Sequence, residues 1–439
     1  MLKAFNQVDG LQDVGIFESE PRAAQGFNPL VCFADSAFGD VAWLMKRSYS
    51  DSKSSEIATR DHPTYYEIEK EQGLTGEDFR YAVHTGNPQA ISGTYTDAAT
   101  GADGNTGVVK GEQFAAEPTL KYGILKMDRP SILRAALKGR GAFFDWATKQ
   151  IEGTLSEMGA RLAFDLFGDG NGIRGRRSSI SGNIVTLTDA RTADKFKRGM
   201  SVGASSSSDG SSPRVGTTYV TKIDRANNKI TLANAASIAS FTDDDYLFAF
   251  GEPGTCIDGM ALCTPLAAPT SGTLFRGVER TNDVEALAGV RIDNTGIYPE
   301  EVLGDLAVDV HCMHKHITRG VVHPVKFQEI VKRLGAKVEY MHPGGNADIG
   351  FESITIHAAG AAIRLVSDPD CPFTRTRGWN PKAHKLVYLG AKPIHWIRTA
   401  DGGQYQWASS ADSFEYRSCF YGNYLQPDPS EHAVGSIAE

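Results

Sequence analysis

Apolar positions change their spacing several times along the chain, and each change marks an element. Between 142 and 167 the residues Phe144, Ala147, Ile151, Leu155, Met158, Leu162 and Leu166 recur at steps of three and four. That spacing lays one stripe along a helix about 35–40 Å long. Gly153 and Gly159 fall inside it, each costing about 1 kcal/mol relative to Ala, so tertiary packing has to hold this helix. A shorter helix is expected from Pro130 through Ser131–Leu137, where Pro is tolerated in the first turn and Gly139 ends it. From 177 to 252 the spacing falls to two: Ile184–Thr188, then Thr218–Ile223 and Lys229–Leu232 around Asn227 and Asn228, which predicts a β-hairpin inside a small β domain. Ser205 to Pro213 reads as a loop tip of that domain.

Beyond 253, Phe327, Ile330, Val331 and Leu334 predict an amphipathic helix from Pro324 to Gly335. Phe351–His357 and His384–Leu389 are strand candidates, and the aromatic run Phe414–Leu425 predicts a closing strand. The small, polar residues after Pro427 are expected to fray. At the other end, scattered large apolar residues including Phe5, Phe17 and Phe27 show no sustained period. They describe an arm that packs along its own domain or across a neighbouring copy. Between Gly86 and Gly111 lies a tract of small and polar residues with too few apolar groups to offset its ordering entropy, the pattern of a projecting loop ordered against a partner. Tyr95 stands inside it.

Composition narrows the classes. Of 439 residues 41% are hydrophobic and 22% charged, a soluble-globular balance with room for two or three domains. Forty-six glycines, about one in ten, oversupply turns and loops. With 45 Lys+Arg against 53 Asp+Glu the net charge of −8 excludes wholesale coating of nucleic acid or of an anionic membrane. No apolar run reaches 18 residues, so neither a membrane span nor a signal peptide is expected. Six dispersed cysteines without a CxxC pair read as free thiols.

Candidate chemistry is sparse. Gly170-Asn-Gly172-Ile-Arg-Gly175 matches GxGxxG as a string, but a dinucleotide fingerprint needs a strand before it and a helix after it, and here the order is reversed. Asp169-Gly-Asn171 fails as a calcium loop because Ile173 stands where an oxygen ligand is required. His311, His314 and His316, with Cys312 between them, carry metal-ligand types; on a strand His314 and His316 would share a face, which leaves a metal-dependent enzyme as one alternative. A surface or glycan-binding module carried by the 177–252 domain is another. Asp243–Asp245 reads as a turn or solvated loop. Arg174, Arg176 and Arg177, and separately Arg375 and Arg377, could form bidentate pairs across an interface or meet phosphate.

Taken in order, these elements resemble the major capsid proteins of tailed bacteriophages. The similarity lies in Glu112–Tyr122 running into Met127–Arg134, in the glycine-rich helix exit Phe167–Gly172, in His323–Leu334 and in Tyr416–Tyr424. It implies an α+β capsid-type fold: an N-terminal arm (1–58), an extended β loop (59–125), a peripheral domain with a spine helix (126–176), an inserted β domain (177–252), an axial domain with part of the peripheral domain (253–375) and C-terminal strands (376–439). It also implies no catalytic residues, no cofactor and no metal. The implied function is self-assembly as hexamers and pentamers into an icosahedral shell around double-stranded DNA, contacted non-specifically. Scaffold, portal and decoration proteins are further candidate partners; a membrane is not. The implied location is the virion capsid, assembled in the host cytoplasm. The residues carried forward as an assembly interface are Phe5, Phe17, Phe27, Tyr95, Arg174, Arg176 and Arg177. Lys110 and Asn423 are conceivable crosslink partners, though no covalent crosslink is expected.

Overall fold

The structure, a computed structural model, describes residues 62–73, 77–88, 90–100, 108–128, 140–234, 240–293, 296–334, 354–398, 405–407 and 412–438. The arm with Phe5, Phe17 and Phe27, and the short helix expected from Pro130, lie outside these residues. The chain divides into two compact units, the described part of the first drawn from Gly123–Thr154 and Trp396–Ser418, the second from Ser55–Tyr122, Leu155–His395 and Cys419–Glu439.

In the first unit the strand Tyr405–Trp407 pairs antiparallel with Phe414–Tyr416. Glu415 receives Lys126 at 3.0 Å and Arg417 at 2.7 Å, and the Ser418 hydroxyl donates to the Gly123 carbonyl at 3.2 Å. Trp396 and Tyr416 meet edge to face with ring centres 6.4 Å apart.

The expected long helix runs Arg140–Phe167, and its stripe from Ile151 through Leu155, Met158, Leu162 and Leu166 is buried. Ala160, Ala163, Phe164 and Phe167 are buried as well, so the last turns are covered on more than one face, which is what sustains a helix carrying two interior glycines. Beyond it comes the glycine-rich exit. Gly170 and Gly172 hold φ of +84° and +76°, and a Cβ on Gly172 would stand 2.8 Å from the Cys256 Sγ, so glycine is required for both conformation and space. A strand follows, confirming that the GxGxxG string sits in the reverse of a dinucleotide context.

That strand opens a closed six-stranded barrel: Ile173–Ser181, Ile184–Leu187, Ser201–Ser205, Thr218–Asp224, Lys229–Leu232 and Tyr246–Ala249. Its first strand reaches back into the segment assigned above to the peripheral domain. Inward positions alternate, and Val185, Leu187, Phe196, Val202, Val220, Ile230, Leu232 and Leu247 fill the interior. The hairpin turn is as expected: Asn228 takes φ +53°, and Asp224 accepts the backbone N–H of Asn227 at 3.2 Å.

The second unit also holds a six-stranded mixed sheet, ordered Val290–Ile292, His432–Ser436, Arg375–Trp379, Arg319–Val322, Ala361–Ser367, Ile354–Ala358. The helix Pro299–Cys312 buries Val302, Leu306, Ala307 and Val310 against it, while Pro324–Leu334 packs Phe327 and Ile330 beside Leu303, Val322 and Leu365. One expectation is corrected here. The residues after Pro427 do not fray: His432–Ser436 is an inner strand, parallel to Val290–Ile292 on one side and antiparallel to Arg375–Trp379 on the other, with Val434 fully buried. Nor do the clustered histidines lie on a strand. His311 ends the helix Pro299–Cys312, and His314 turns the chain with φ +60°, so His314 and His316 have no common strand face. Of the described cysteines Cys256, Cys263, Cys371 and Cys419 are buried, and Cys312 is exposed.

Candidate assembly interface

The strands Phe79–Gly86 and Lys110–Ala116 form a two-stranded antiparallel ribbon, in register from Phe79 opposite Ala116 to Val83 opposite Glu112. Its base is anchored. Phe79 and Ala116 pack with Val387 and Leu425, and Val83 and Phe114 pack with Val278 and Leu287. Tyr81 stacks on Phe114 with ring centres 5.3 Å apart. Arg276 clamps this base, donating to the Tyr81 hydroxyl at 2.9 Å, to Asp258 at 2.9 Å and to the Tyr424 carbonyl at 2.7 Å. At Gly111 the strands approach so closely that a Cβ would meet the Val83 carbonyl oxygen at 2.8 Å.

Away from the base the burial reverses. Ile91 is 87% exposed and Tyr95, the first residue of the short helix Tyr95–Thr100, is 89% exposed; Val108 and Val109 are also in water. On the neighbouring strand Thr119–Asp128, where exposure alternates, Leu120 and Tyr122 face outward, with the Tyr122 ring edge-on to Tyr421 at 5.8 Å. Tyr95, expected from the sequence at an assembly interface, is one of these exposed side chains. Ile91, Val108, Leu120 and Tyr122 were not singled out, although isolated large apolar residues in or beside a small-polar tract are the signal that marks them.

The three arginines after the long helix part company. Arg174 is buried and forms a two-pronged pair with Glu252, at 3.1 and 2.9 Å, while its guanidinium lies over the Phe164 ring at 4.3 Å. Arg161 reaches the same carboxylate at 3.3 Å. Burial works against ionisation of Glu252, but Arg174, Lys121 and Arg161 outweigh it and hold this carboxyl below its ordinary range. Alongside, Lys121 contacts Asp165, whose complete burial pushes its carboxyl up in spite of the ammonium. Arg177 is buried too, paired with Asp243 at 3.1 Å and donating to the Phe241 carbonyl. Only Arg176 of the three keeps a substantially exposed side chain, near Asp244 at 3.3 Å and over the Tyr246 ring. The guanidinium groups of Arg174 and Arg177 are therefore engaged within the chain, and neither offers a free charge to a neighbour.

His311 and His316 bring their rings to 5.0 Å, but among the described residues no group of three His, Cys, Asp or Glu side chains is arranged to hold a metal ion. The metal-dependent alternative finds no support among the described residues. Asn423, one of the conceivable crosslink residues, is buried and donates to the Glu117 carbonyl at 2.8 Å and to Asp258 at 3.1 Å. Among the described residues no helix is long and apolar enough to cross a membrane.

No family model and no curated protein matches this chain. Solved structures similar to it are protein shells: capsid proteins of phages and related particles. One is the capsid asymmetric unit of cyanophage A-1(L), at 10% identity over 85% of this chain and 92% of that one, with a TM-score of 0.48. A second is the procapsid of satellite phage P4 that includes its size determination protein, at 10% identity, 92% and 98% coverage and a TM-score of 0.39. A third is the holo-SrpI encapsulin complex of Synechococcus elongatus PCC 7942, at 10% identity, 84% coverage of each chain and a TM-score of 0.37.

Proposed function

We propose that this chain is the major capsid protein of a tailed-phage head. Copies assemble as hexamers and pentamers into an icosahedral shell that encloses double-stranded DNA, and the chain acts as a building block without catalytic turnover. Assembly takes place in the host cytoplasm and ends in the virion, with scaffold, portal and decoration proteins as further partners.

The observation that carries this reading is the ribbon of Phe79–Gly86 and Lys110–Ala116, whose base is packed and clamped by Arg276 while Ile91, Tyr95, Val108 and Val109 stand in water. Each large apolar side chain gains about 1.5–3 kcal/mol when fully buried, so a neighbouring copy that covers this end supplies a strong, directional contact. Such a contact joins one patch to a different patch on the next copy, and repeated around an axis it closes rings. The charge of −8 suits a container whose cargo stays mobile.

Negative-stain electron microscopy and sedimentation velocity of the purified chain test the proposal. The expected result is closed shells, or rings of five and six subunits; a uniform monomer or small dimer at micromolar concentration overturns it. Ile91→Ser with Tyr95→Ser should abolish assembly and leave the unfolding midpoint of the subunit unchanged.

A further inference from the structure

A cavity of about 300 Å³ lies within the second unit, where the end of the long helix, the turn Thr192–Lys195 of the barrel and the loop leading into strand Arg375–Trp379 meet. That volume falls at the lower end of the range for small-ligand sites. Three basic side chains line it: Arg191, Lys195 and Arg375. Arg191 is exposed, while Lys195 and Arg375 are half-buried; the buried arginines described above are matched to a carboxylate or to backbone carbonyls. Among the described residues, these three form no ion pair and no side-chain hydrogen bond. Lys195 only approaches the Phe164 ring, at 5.8 Å.

Three aspartates share the cavity, and none of them is ion-paired to these basic groups. Asp194 is engaged by Arg225 at 3.1 Å, and Asp169 accepts the backbone and side-chain N–H groups of Asn171 at 3.1 and 3.2 Å. Asp189 sits exposed at the rim. The C-terminal end of the long helix, which would repel an anion, is muted: the Asp165 carbonyl accepts from the Gly168 N–H and the Gly168 carbonyl from the Ala261 N–H. Arg191 holds its position at a backbone cost, with φ +60° in a residue that has a full side chain. Burial, with Arg174 and Arg375 adding to it, pushes the Lys195 ammonium below its ordinary value against the pull of Asp189 and Asp169. His323, also on the wall, accepts the Val325 N–H at Nδ1 and is held down by burial, with Arg191 and Lys195 adding to the effect.

We propose that this cavity is a binding site for a phosphate-class oxyanion, held by Arg191, Lys195 and Arg375. A tetrahedral oxyanion offers several acceptors, and would give basic groups that lack an ion pair charge-assisted hydrogen bonds. The source of the anion is either free phosphate or the backbone of a nucleic acid. The site does not depend on the chain being a shell subunit.

The test is titration of the full chain with inorganic phosphate against chloride at matched ionic strength, read as the thermal unfolding midpoint and by isothermal calorimetry. The expected result is saturable binding beyond the chloride control. Arg375→Gln and Lys195→Met should each weaken it about tenfold or more, the loss of one charge-assisted hydrogen bond. Lys222→Gln, on the barrel away from the cavity, should bind as the parent does. Midpoints in chloride establish that each variant is folded, and Arg375→Gln, at a half-exposed position, serves if Lys195→Met is not. A short DNA duplex added as competitor separates the sources: displacement of phosphate identifies a nucleic-acid backbone and its absence a free anion, and either result supports the site. Phosphate that does no more than chloride, or binding unchanged in both cavity variants, overturns the proposal.

Discussion

Glu252 is the residue on which the interior charge of the second unit turns. It faces buried Arg174 through two hydrogen bonds and Arg161 through a third contact. Replacing it by Gln leaves Arg174 in a site 4% exposed without a counter-charge, a change that typically costs about 3–5 kcal/mol. The Arg176–Asp244 pair has the same chemistry, but its side chains are 42% and 71% exposed, and such pairs are worth about 0–1 kcal/mol. Urea denaturation of the disassembled subunit should therefore show a large loss of stability in Glu252→Gln and almost none in Asp244→Asn. Equal midpoints would remove Glu252 as a support of the helix exit. In sequence the three arginines look alike, because nothing within a few positions of Arg174 or Arg177 announces Glu252, Asp243 or the Phe241 carbonyl. Each partner comes from a segment more than sixty positions away.

At the scale of elements, local pattern was informative wherever the pattern itself sets the structure. The long helix, the barrel hairpin with its Asn turn and the helix Pro324–Leu334 all follow from spacing and turn chemistry. The helix Pro299–Cys312 is not among the expected elements although Val302, Leu303, Leu306, Ala307 and Val310 carry a helical spacing behind an N-terminal Pro and two Glu; its stripe is short and runs straight into the histidine cluster. The C-terminal strand His432–Ser436 was missed for a different reason. Its residues are small, and it is held by two flanking strands that local sequence cannot reveal. Deleting 432–439 should consequently unfold the sheet rather than trim a tail: the expected chain is insoluble or lacks a cooperative thermal transition. A truncated chain with the full-length midpoint would return this segment to the frayed class.

For the molecule as a whole, acid is the condition that acts on its most buried titratable pair. His384 and His432 lie with ring centres 3.9 Å apart, His384 Nδ1 against the Tyr424 hydroxyl and His432 Nε2 donating to the Ala383 carbonyl at 3.4 Å. Burial, with Arg377 nearby, holds His384 well below its ordinary value and pushes His432 down to about 3. Both rings are neutral in the folded chain and protonate near pH 6.5 once unfolded. Their contribution to stability is therefore complete above about pH 6.5 and is lost progressively as pH falls toward 3, by up to about 1.4 kcal/mol per pH unit for each ring. His323, also lowered by burial, acts in the same direction. His62, raised by Asp370 in spite of burial, opposes it. Urea midpoints from pH 7.5 to 4 should fall, and His432→Gln should flatten the fall; a flat profile in the parent chain refutes the assignment.

The sequence by itself determined the periodic elements and the turns between them, because a helix stripe, a strand alternation or a left-handed Asn is set by residues a few positions apart. It also marked the glycine-rich exit as unsuited to a nucleotide, since the order of helix and strand can be read along the chain. Only the tertiary structure decided which charges are used up and which are free: Arg174 and Arg177 are matched inside, while Arg191, Lys195 and Arg375 are left facing one cavity. It likewise decided that the last strand is an inner one and that the ribbon buries its base and exposes its far end. Those outcomes depend on partners distant in sequence, and desolvation and pairing act on distance in space.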